Sequence, residues 1–339
     1  MLLVVLLTIF VSGMAQPTRQ QVGPQYCDSV IIRGVTVSSF GHGRTDGIDV
    51  ESSSNVLIEY CSLDCQDDCY TMKSGRGWDG LRINRPTENV VVRHCLALRG
   101  AGGIVCGREV AGGVNNVYCH DCVFEGTDQA FRFKSRRTRG GGISNIFVER
   151  VRANVKYSAF YCDLLGETKW MGELAQRFPT PPKTKYTPYF HDISVHDVVV
   201  EGCRELVSFT GQPELPVKNV FFGNATVTAQ RIGHVQDVTG FSMKDVDIHT
   251  TDSILTIDGC SVVNIFGLNN VGLKAPVKVV QKGVPSQYVS VQEVPMQVSN
   301  HFVGQKPPYT REAPTHFVAD YVFLPITSPA PICCRNNVR

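Results

Sequence analysis

The sequence has almost no excess of charge of either sign. Its 339 residues carry 33 Lys and Arg against 31 Asp and Glu, a formal net charge of +2. Binding to nucleic acid or to a membrane surface usually requires a strongly basic face, so this balance argues against both kinds of partner. Any site for an acidic ligand must therefore be built locally, from a few cations placed together.

Long apolar runs are absent except at the start of the chain. Residues 1–16 contain the run LLVVLLTIFV, followed by small residues at 12–15. This pattern is typical of a secretory signal peptide, and it is too short to cross a bilayer comfortably. We therefore predict a signal peptide at 1–16 and a secreted protein, either extracellular or periplasmic.

The 13 cysteines give only partial support to an oxidising compartment. Their number is odd, and several end short apolar stretches, where a free cysteine behaves as a small hydrophobic residue. The candidates for disulfide bonds are the pair Cys119 and Cys122 and the pair Cys333 and Cys334.

Helical periodicity is also lacking beyond the first residues, and a short strand-like phrase recurs instead. The phrase alternates apolar and polar residues, which is the pattern of a half-buried strand. Most of the intervals between its copies are about 21 to 34 residues long. It stands at 29–32, 55–58, 89–92, 116–118, 145–148, 192–195, 219–222 and, more weakly, 241–243.

Short strands in repeats of this length, with 31 glycines and no helices, predict an all-β solenoid whose coils stack edge to edge. A propeller would need about four strands in each repeat of roughly 40 residues, and a sandwich would not repeat so regularly. We predict a β-helix over 17–275 with a Pro-rich surface loop inserted at 163–190. Residues 276–339 lose the period and are expected to form a tail or cap.

Polar clusters follow the repeated phrase at a similar offset in four successive coils. Coils lie about 4.8 Å apart, so equal offsets place Asp46, Asp67 and Asp68 together on one wall. Three carboxylates this close cannot all ionise at ordinary cost, so one should have a raised pKa and serve as a general acid. The others would activate water, while Arg132 and Lys134 would offer charge to an acidic substrate from an exposed wall.

Each of these residues also has a plainer explanation. Asp is frequent at the turns of any β-solenoid because its side chain accepts hydrogen bonds from backbone N–H groups. Arg132 and Lys134 alternate on one strand face and, taken alone, would simply be solvated. His42 stands between two glycines and is more typical of a turn than of a catalyst, and the basic run at 135–137 indicates a solvated loop.

Several segments taken together resemble glycoside hydrolase family 28, the pectin-hydrolysing polygalacturonases. The phrase TDGID at 45–49 is similar to the family's NTDGID, with Arg44 in place of its Asn. The resemblance runs from about residue 26 to residue 268. Further segments resemble DDC, KSG, GVVIGSE with GGV, and LRIKS in family order; they are QDDC at 66–69, MKSG at 72–75, GIVCGRE at 103–109 with GGV at 112–114, and FRFKS at 131–135.

The resemblance implies a right-handed, single-stranded parallel β-helix that hydrolyses α-1,4-galacturonosyl bonds with inversion. It implies that Asp67 is the general acid and that Asp46 and Asp68 activate the attacking water. In inversion the acid and the base act on opposite faces of the bond, with a water between them.

The same resemblance gives a substrate-binding role to Arg132, Lys134 and Lys73. The implied partner is an acidic polysaccharide, the galacturonan of pectin. No cofactor and no metal are implied, and we expect a monomer.

Two departures from the family accompany these likenesses. The family's GHG motif falls at 100–102, where its His is Ala101. The match also begins part-way into the family domain, so we expect the first coils of that domain to be absent from this chain.

Three functions therefore stay open. The first is a pectin hydrolase, and the second is a galacturonan-binding β-helix with impaired catalysis, which Ala101 favours. The third is a lyase of similar architecture, which would need calcium-binding carboxylates and a basic residue to abstract a proton.

Overall fold

The computed structural model describes residues 3–5, 22–41, 43–273 and 275–292. Its strands pair in parallel with the equivalent strand one coil further along, and they form three ladders. Successive coils contribute a strand to each ladder, which is the arrangement of a parallel β-helix. The all-β right-handed parallel β-helix predicted from the sequence is thus confirmed.

The strands are assigned to the ladders as follows. The first ladder contains β1 (Leu3–Val5), β2 (Asp28–Arg33), β5 (Ser54–Glu59), β8 (Thr87–Arg93), β10 (Val114–Glu125), β12 (Gly142–Asn154), β14 (Tyr189–Thr210), β15 (Val217–Gln236), β16 (Val238–His249), β18 (Ser261–Asn270) and β21 (Gln287–Gln292). The second contains β3 (Thr36–Ser38), β6 (Ser62–Asp64) and β9 (Leu96–Cys106), and later parts of the longer strands continue it. The third contains β4 (Ile48–Glu51), β7 (Asp68–Lys73), β11 (Thr127–Lys134), β13 (Ser158–Asp163), β17 (Ile254–Asp258) and β20 (Lys278–Gln281), with the ends of β9, β14 and β15. The short β19 (Ala275–Pro276) pairs antiparallel with β18.

A column of asparagines explains the residue that opens many of the repeated phrases. Asn55, Asn89 and Asn116 stand on successive coils with φ of 55–56°, a left-handed conformation that Asn tolerates better than most residues. The amide of Asn89 donates to Asn55 over 3.2 Å, and the amide of Asn116 donates to Asn89 over 2.7 Å. The turn and the contact between coils therefore select the same residue.

Apolar side chains stack in columns inside the coils. Val56, Val90, Val117 and Ile146 lie in register in the first ladder and are fully buried. Each coil thereby removes the apolar surface of its neighbour from water, at roughly 25 cal/mol per Å². The alternate residues point outward, and on the third ladder these include the charged side chains considered below.

Two connections depart from simple turns. The longer one lies between β13 and β14, contains α2 (Thr168–Met171) and a 3₁₀ turn (Gly172–Ala175), and coincides with the predicted insertion. We call its residues 164–188 the strap. The other follows β7 and contains α1 (Gly77–Ile83), a helix that the sequence analysis did not predict.

The coils continue past the boundary predicted at residue 275. β20 pairs with β17 and β21 pairs with β18, so that Val289 lies opposite Val263. The β-helix therefore extends to Gln292, and the predicted start of a tail or cap at 276 is too early. Residues 293–339 lie outside the described part of the chain.

Most of the predicted signal peptide and one of the two candidate disulfide bonds fall on residues that the structure does not describe. The predicted signal peptide, apart from β1, and the pair Cys333 and Cys334 are not among the described residues. Cys119 and Cys122 are buried and unbonded, so the disulfide bond considered for them is not formed. No helix that the structure describes has the length and apolarity to span a bilayer.

Candidate active site

Three carboxylates meet on one side of the third ladder. Asp46 stands two residues before β4, and Asp67 and Asp68 stand at the start of β7 on the next coil. β4 and β7 pair in register, which brings the three side chains together, as their equal offsets predict. One oxygen from each lies within 4.8 Å of the others, and the backbone N–H of Asp68 donates to Asp46 over 3.2 Å.

Asp68 is the buried member of this group and is held by two cations of β11. Arg132 donates to it over 2.6 Å and Lys134 over 2.5 Å. Asp68 is 3% exposed and Lys134 is 5% exposed. The expectation that Lys134 lies on an exposed wall is therefore wrong, because its charge is directed inward at Asp68.

Lys73 does the same for Asp46 and brings in a carboxylate that the sequence analysis did not select. Its ammonium group donates to Asp46 and to Asp49, each over 2.6 Å. Asp49 is 2% exposed and lies within β4. An acidic residue inside a buried strand needs a cation within reach. The position of Asp49 within an apolar strand is therefore the feature of the sequence that could have identified it.

The pKa values of the carboxyl groups differ with their surroundings. Burial alone would raise the pKa of Asp68, but Lys134 and Arg132 outweigh it and hold that pKa well below its usual range. Burial raises the pKa of Asp67, and the negative charge of Asp68 raises it further. Asp67 is also the most open, with 36% of its side chain exposed against 16% for Asp46. Among the three clustered carboxyl groups, the raised pKa therefore belongs to the one that faces solvent. Burial also raises the pKa of the neighbouring Asp49, to about 7.

The local charge count calls for one proton in this group, and Asp67 and Asp49 are the members with a raised pKa. This group of side chains contains one more carboxyl than cations, so a single proton balances it. The nearest cation to Asp67 is Arg132, at 3.9 Å, beyond hydrogen-bond distance. The carboxyl groups are Asp46, Asp49, Asp67 and Asp68, and the cations are Lys73, Arg132 and Lys134.

The same carboxylates are geometrically close enough to hold a metal ion, as are Glu149, His196 and Asp197 in another part of the molecule. Calcium requires six to eight oxygen ligands. In the group around Asp68, oxygens already accept hydrogen bonds from Lys and Arg side chains. The arrangement suits acid–base chemistry better than the calcium site that a lyase would need.

Ala101 lies directly beside Asp67. Its backbone N–H donates to the carbonyl oxygen of Asp67 over 2.7 Å. The neighbouring residues Gly100 and Gly102 pair with residues 127 and 129 of β11, so the next coil brings Asp128 opposite Ala101. The position at which family 28 has its His therefore lies between Asp67 and Asp128.

The strap reaches back along the coils towards the carboxylates. The ring of Trp170 lies 5.5 Å from the guanidinium carbon of Arg44, which stands two residues before Asp46. Four coils separate Asp46 from the strap, a distance of roughly 19 Å at the usual spacing. Trp170 is 52% exposed, so the strap places an aromatic ring at the edge of the site.

The basic run at 135–137 is not the solvated loop that the sequence suggested. Arg137 is 4% exposed and pairs with Glu214 over 2.5 Å. It also donates to strap carbonyl oxygens, over 2.9 Å to Leu174 and 2.5 Å to Gln176. Arg137 thus anchors the strap. His42 lies outside the described residues.

Comparison with known proteins agrees with this geometry. The family model described as glycosyl hydrolases family 28 matches residues 15–161, which include Asp46, Asp67, Asp68, Arg132 and Lys134. Over these residues the chain is similar to the family 28 glycosyl hydrolases. A probable polygalacturonase of Vitis vinifera is 28% identical over 211 residues, 61% of this chain and 41% of the relative. A polygalacturonase of Ralstonia solanacearum is 30% identical over 132 residues, 36% of this chain and 23% of the relative.

Two solved structures share the fold. A hyperthermoactive exopolygalacturonase from Thermotoga maritima is 26% identical with a TM-score of 0.52, over 72% of this chain and 49% of that one. A family 28 exopolygalacturonase of Yersinia enterocolitica has a TM-score of 0.56 over 81% of this chain and 44% of that one, and at 17% identity it shows the fold alone. The chain spans less than half the length of these family 28 relatives and structures.

Proposed function

We propose that the chain hydrolyses α-1,4-galacturonosyl bonds of polygalacturonate or pectin. The observation that carries the proposal is Asp67, a solvent-facing carboxyl group with a raised pKa beside Asp46 and Asp68. Asp67 protonates the leaving glycosidic oxygen, and the other two hold and deprotonate a water molecule. The polygalacturonase names of the relatives support the substrate class.

In this scheme the main role of the three cations is to hold the carboxylates of the site. Arg132 and Lys134 keep Asp68 ionised, and Lys73 holds Asp46 in place. A substrate-binding role for these three cations stays a prediction, and it would come in addition to their ion pairs.

Inversion is proposed from the family resemblance, and the carboxylate spacing makes its test informative. Inverting pairs usually stand about 6.5–9.5 Å apart and retaining pairs about 5–5.5 Å apart, whereas oxygens of all three carboxylates here lie within 4.8 Å. This spacing leaves no room for a water molecule between the carboxyl groups, so in an inverting reaction the attacking water would have to approach from beside them. Proton NMR of the first-formed product tests this: a β-anomer supports inversion, and an α-anomer contradicts it.

The proposed activity is tested by the release of reducing ends. Purified protein should release them from polygalacturonate without forming an unsaturated product, which separates hydrolysis from lyase action. The Asp67→Asn variant, prepared in parallel, controls for contaminating enzymes. Equal or greater activity on a neutral glucan would overturn the substrate assignment.

A galacturonan-binding protein with little turnover is the second candidate, and Ala101 is the observation that favours it. Saturable binding of oligogalacturonates without release of reducing ends would select this function. Export, predicted from residues 1–16, would bring either kind of protein to a cell-wall substrate. N-terminal sequencing of the protein recovered from the medium tests that prediction.

A further inference from the structure

Arg136 is a buried charge without a counterion. It is 9% exposed, and its Nε atom is fully enclosed with no hydrogen-bond partner. A buried charge is strongly unfavourable unless it is paired, and within the described part of the chain Arg136 is the one exception. The other buried charged side chains, all of which have an ion pair, are Asp49, Glu59, Asp68, Lys134, Arg137, Arg139 and Asp237.

Arg108 repeats this pattern one coil earlier. Its Nε atom is also enclosed without a partner, and no carboxylate among the described residues forms an ion pair with it. The hydroxyl of Ser135 donates to the backbone carbonyl of Arg108 over 3.2 Å, which joins the two segments. Burial lowers the pKa of Arg136, and the charge of Arg108 lowers it further. The two arginines therefore lie on hydrogen-bonded segments of neighbouring coils.

The acidic side chains near these arginines have other hydrogen-bond partners, and none forms an ion pair with Arg136 or Arg108. Each accepts hydrogen bonds or forms an ion pair elsewhere. The engaged acids are Asp163 with the backbone N–H groups of Leu165 and Gly166, Glu109 with Arg139, and Glu167 with Lys169.

Both guanidinium groups remain open to a ligand. Nε is the one fully enclosed nitrogen without a partner in each, so the terminal nitrogens retain contact with solvent. Arg136 stands two residues beyond Lys134, the last residue of β11, and the charge of Arg108 acts on Lys134 as well. Arg132 and Lys134 are paired with Asp68, whereas Arg108 and Arg136 form no ion pair with any carboxylate that the structure describes.

We propose that Arg108 and Arg136 together bind the carboxylate of a galacturonate unit next to the three-carboxylate site. This inference rests on the proposed function. The planar fork of a guanidinium group matches a carboxylate, and two forks give charge-assisted hydrogen bonds to both oxygens. A methyl-esterified unit has no charge at this point, so the pair selects de-esterified pectin.

The test compares trigalacturonate with its methyl ester by calorimetry and steady-state kinetics. The variants are Arg108→Gln and Arg136→Gln, and the matched control is Arg152→Gln, whose side chain is 51% exposed and paired with Glu201. Wild type and control should prefer the acid form, and each variant should bind it about ten- to a hundredfold more weakly. KM should rise while kcat stays near the wild-type value.

The outcomes separate this inference from the proposed function. Hydrolysis with an unchanged preference for the acid form in both variants overturns the inference and leaves the function standing. If wild type neither binds nor hydrolyses trigalacturonate, the proposed function fails, and D-galacturonate then probes the arginines alone. A rise in Tm with D-galacturonate that is lost in both variants supports the site, and an equal rise in all proteins overturns it.

Discussion

The ammonium group of Lys134 donates to the carboxylate of Asp68 over 2.5 Å, and both side chains are almost completely buried. A buried ion pair contributes little net stability compared with apolar residues, but either partner alone is strongly unfavourable. Lys134 therefore belongs to the structure that keeps Asp68 ionised. It is not an unpaired cation facing the substrate.

Lys134→Met should lower the free energy of unfolding at pH 7 by about 3–5 kcal/mol, because Asp68 keeps a single cation. The depressed pKa of Asp68 stabilises the fold above the usual value of about 3.9, and this stabilisation is lost as the pH falls through the folded-state value. The cost of the substitution should therefore shrink below about pH 4. Urea unfolding at several pH values measures this, with the exposed Lys218→Met as control. Wild-type stability combined with weaker oligogalacturonate binding would contradict the structural role.

Asp67→Asn should abolish turnover and leave oligogalacturonate binding intact, because Asn cannot protonate the leaving oxygen. Loss of acid–base assistance typically costs about 10²–10⁴-fold. Initial rates and calorimetry on the same preparation measure both effects. A rate above about a tenth of wild type would show that another group is the acid.

The residues at the left-handed corners of the coils determine how many coils can be predicted from the sequence. Asn at the left-handed corner marks several coils, so the strand phrase could be found and its register predicted. The last coils make the same corner with Val262 at φ 55° and Tyr288 at φ 54°. These residues do not favour that conformation, so the phrase disappears and the boundary at 275 was placed too early.

Equal offsets along the coils were enough to bring the three carboxylates together. The pairing of cations with carboxylates was not predictable in the same way, because it depends on which side chain is buried. Lys134 and Arg132 reach Asp68 across 66 and 64 residues of sequence. The contact between Trp170 and Arg44 likewise depends on the path of the strap, which could not be predicted because the strap lacks the repeated strand phrase.

The pH profile of kcat/KM should have its alkaline limb set by Asp67. Hydrolysis needs Asp67 protonated, and its pKa is raised by burial and by Asp68. The rate should therefore fall as the pH rises through a value above about 3.9, the usual pKa of Asp. The alkaline limb is the informative one, because substrate carboxyl groups also titrate at acid pH. A kcat/KM that does not fall as the pH rises would contradict the assignment of Asp67 as the general acid.

Arg137→Gln should destabilise the protein and release the strap. The substitution leaves Glu214 buried without its cation and removes donors from strap carbonyl oxygens. Breaking a buried pair on one side costs about 3–5 kcal/mol, and the double variant with Glu214→Gln should recover part of it. Denaturation and limited proteolysis within 164–188 measure the two effects. Strap cleavage no faster than in wild type would show that the strap is held by other contacts.

Ala101→His should raise turnover about tenfold or more if the protein is an impaired hydrolase. The backbone N–H of Ala101 donates to the carbonyl oxygen of Asp67, so a side chain at this position begins beside the proposed acid, with Asp128 on the next coil. The carboxylate of Asp128 favours the protonated imidazole, which can then assist Asp67. Ala101→Gln is the matched control, since its side chain is of similar length and does not titrate. A rate that is equal in the His and Gln variants would show that more than one residue limits the site, and would favour the galacturonan-binding function.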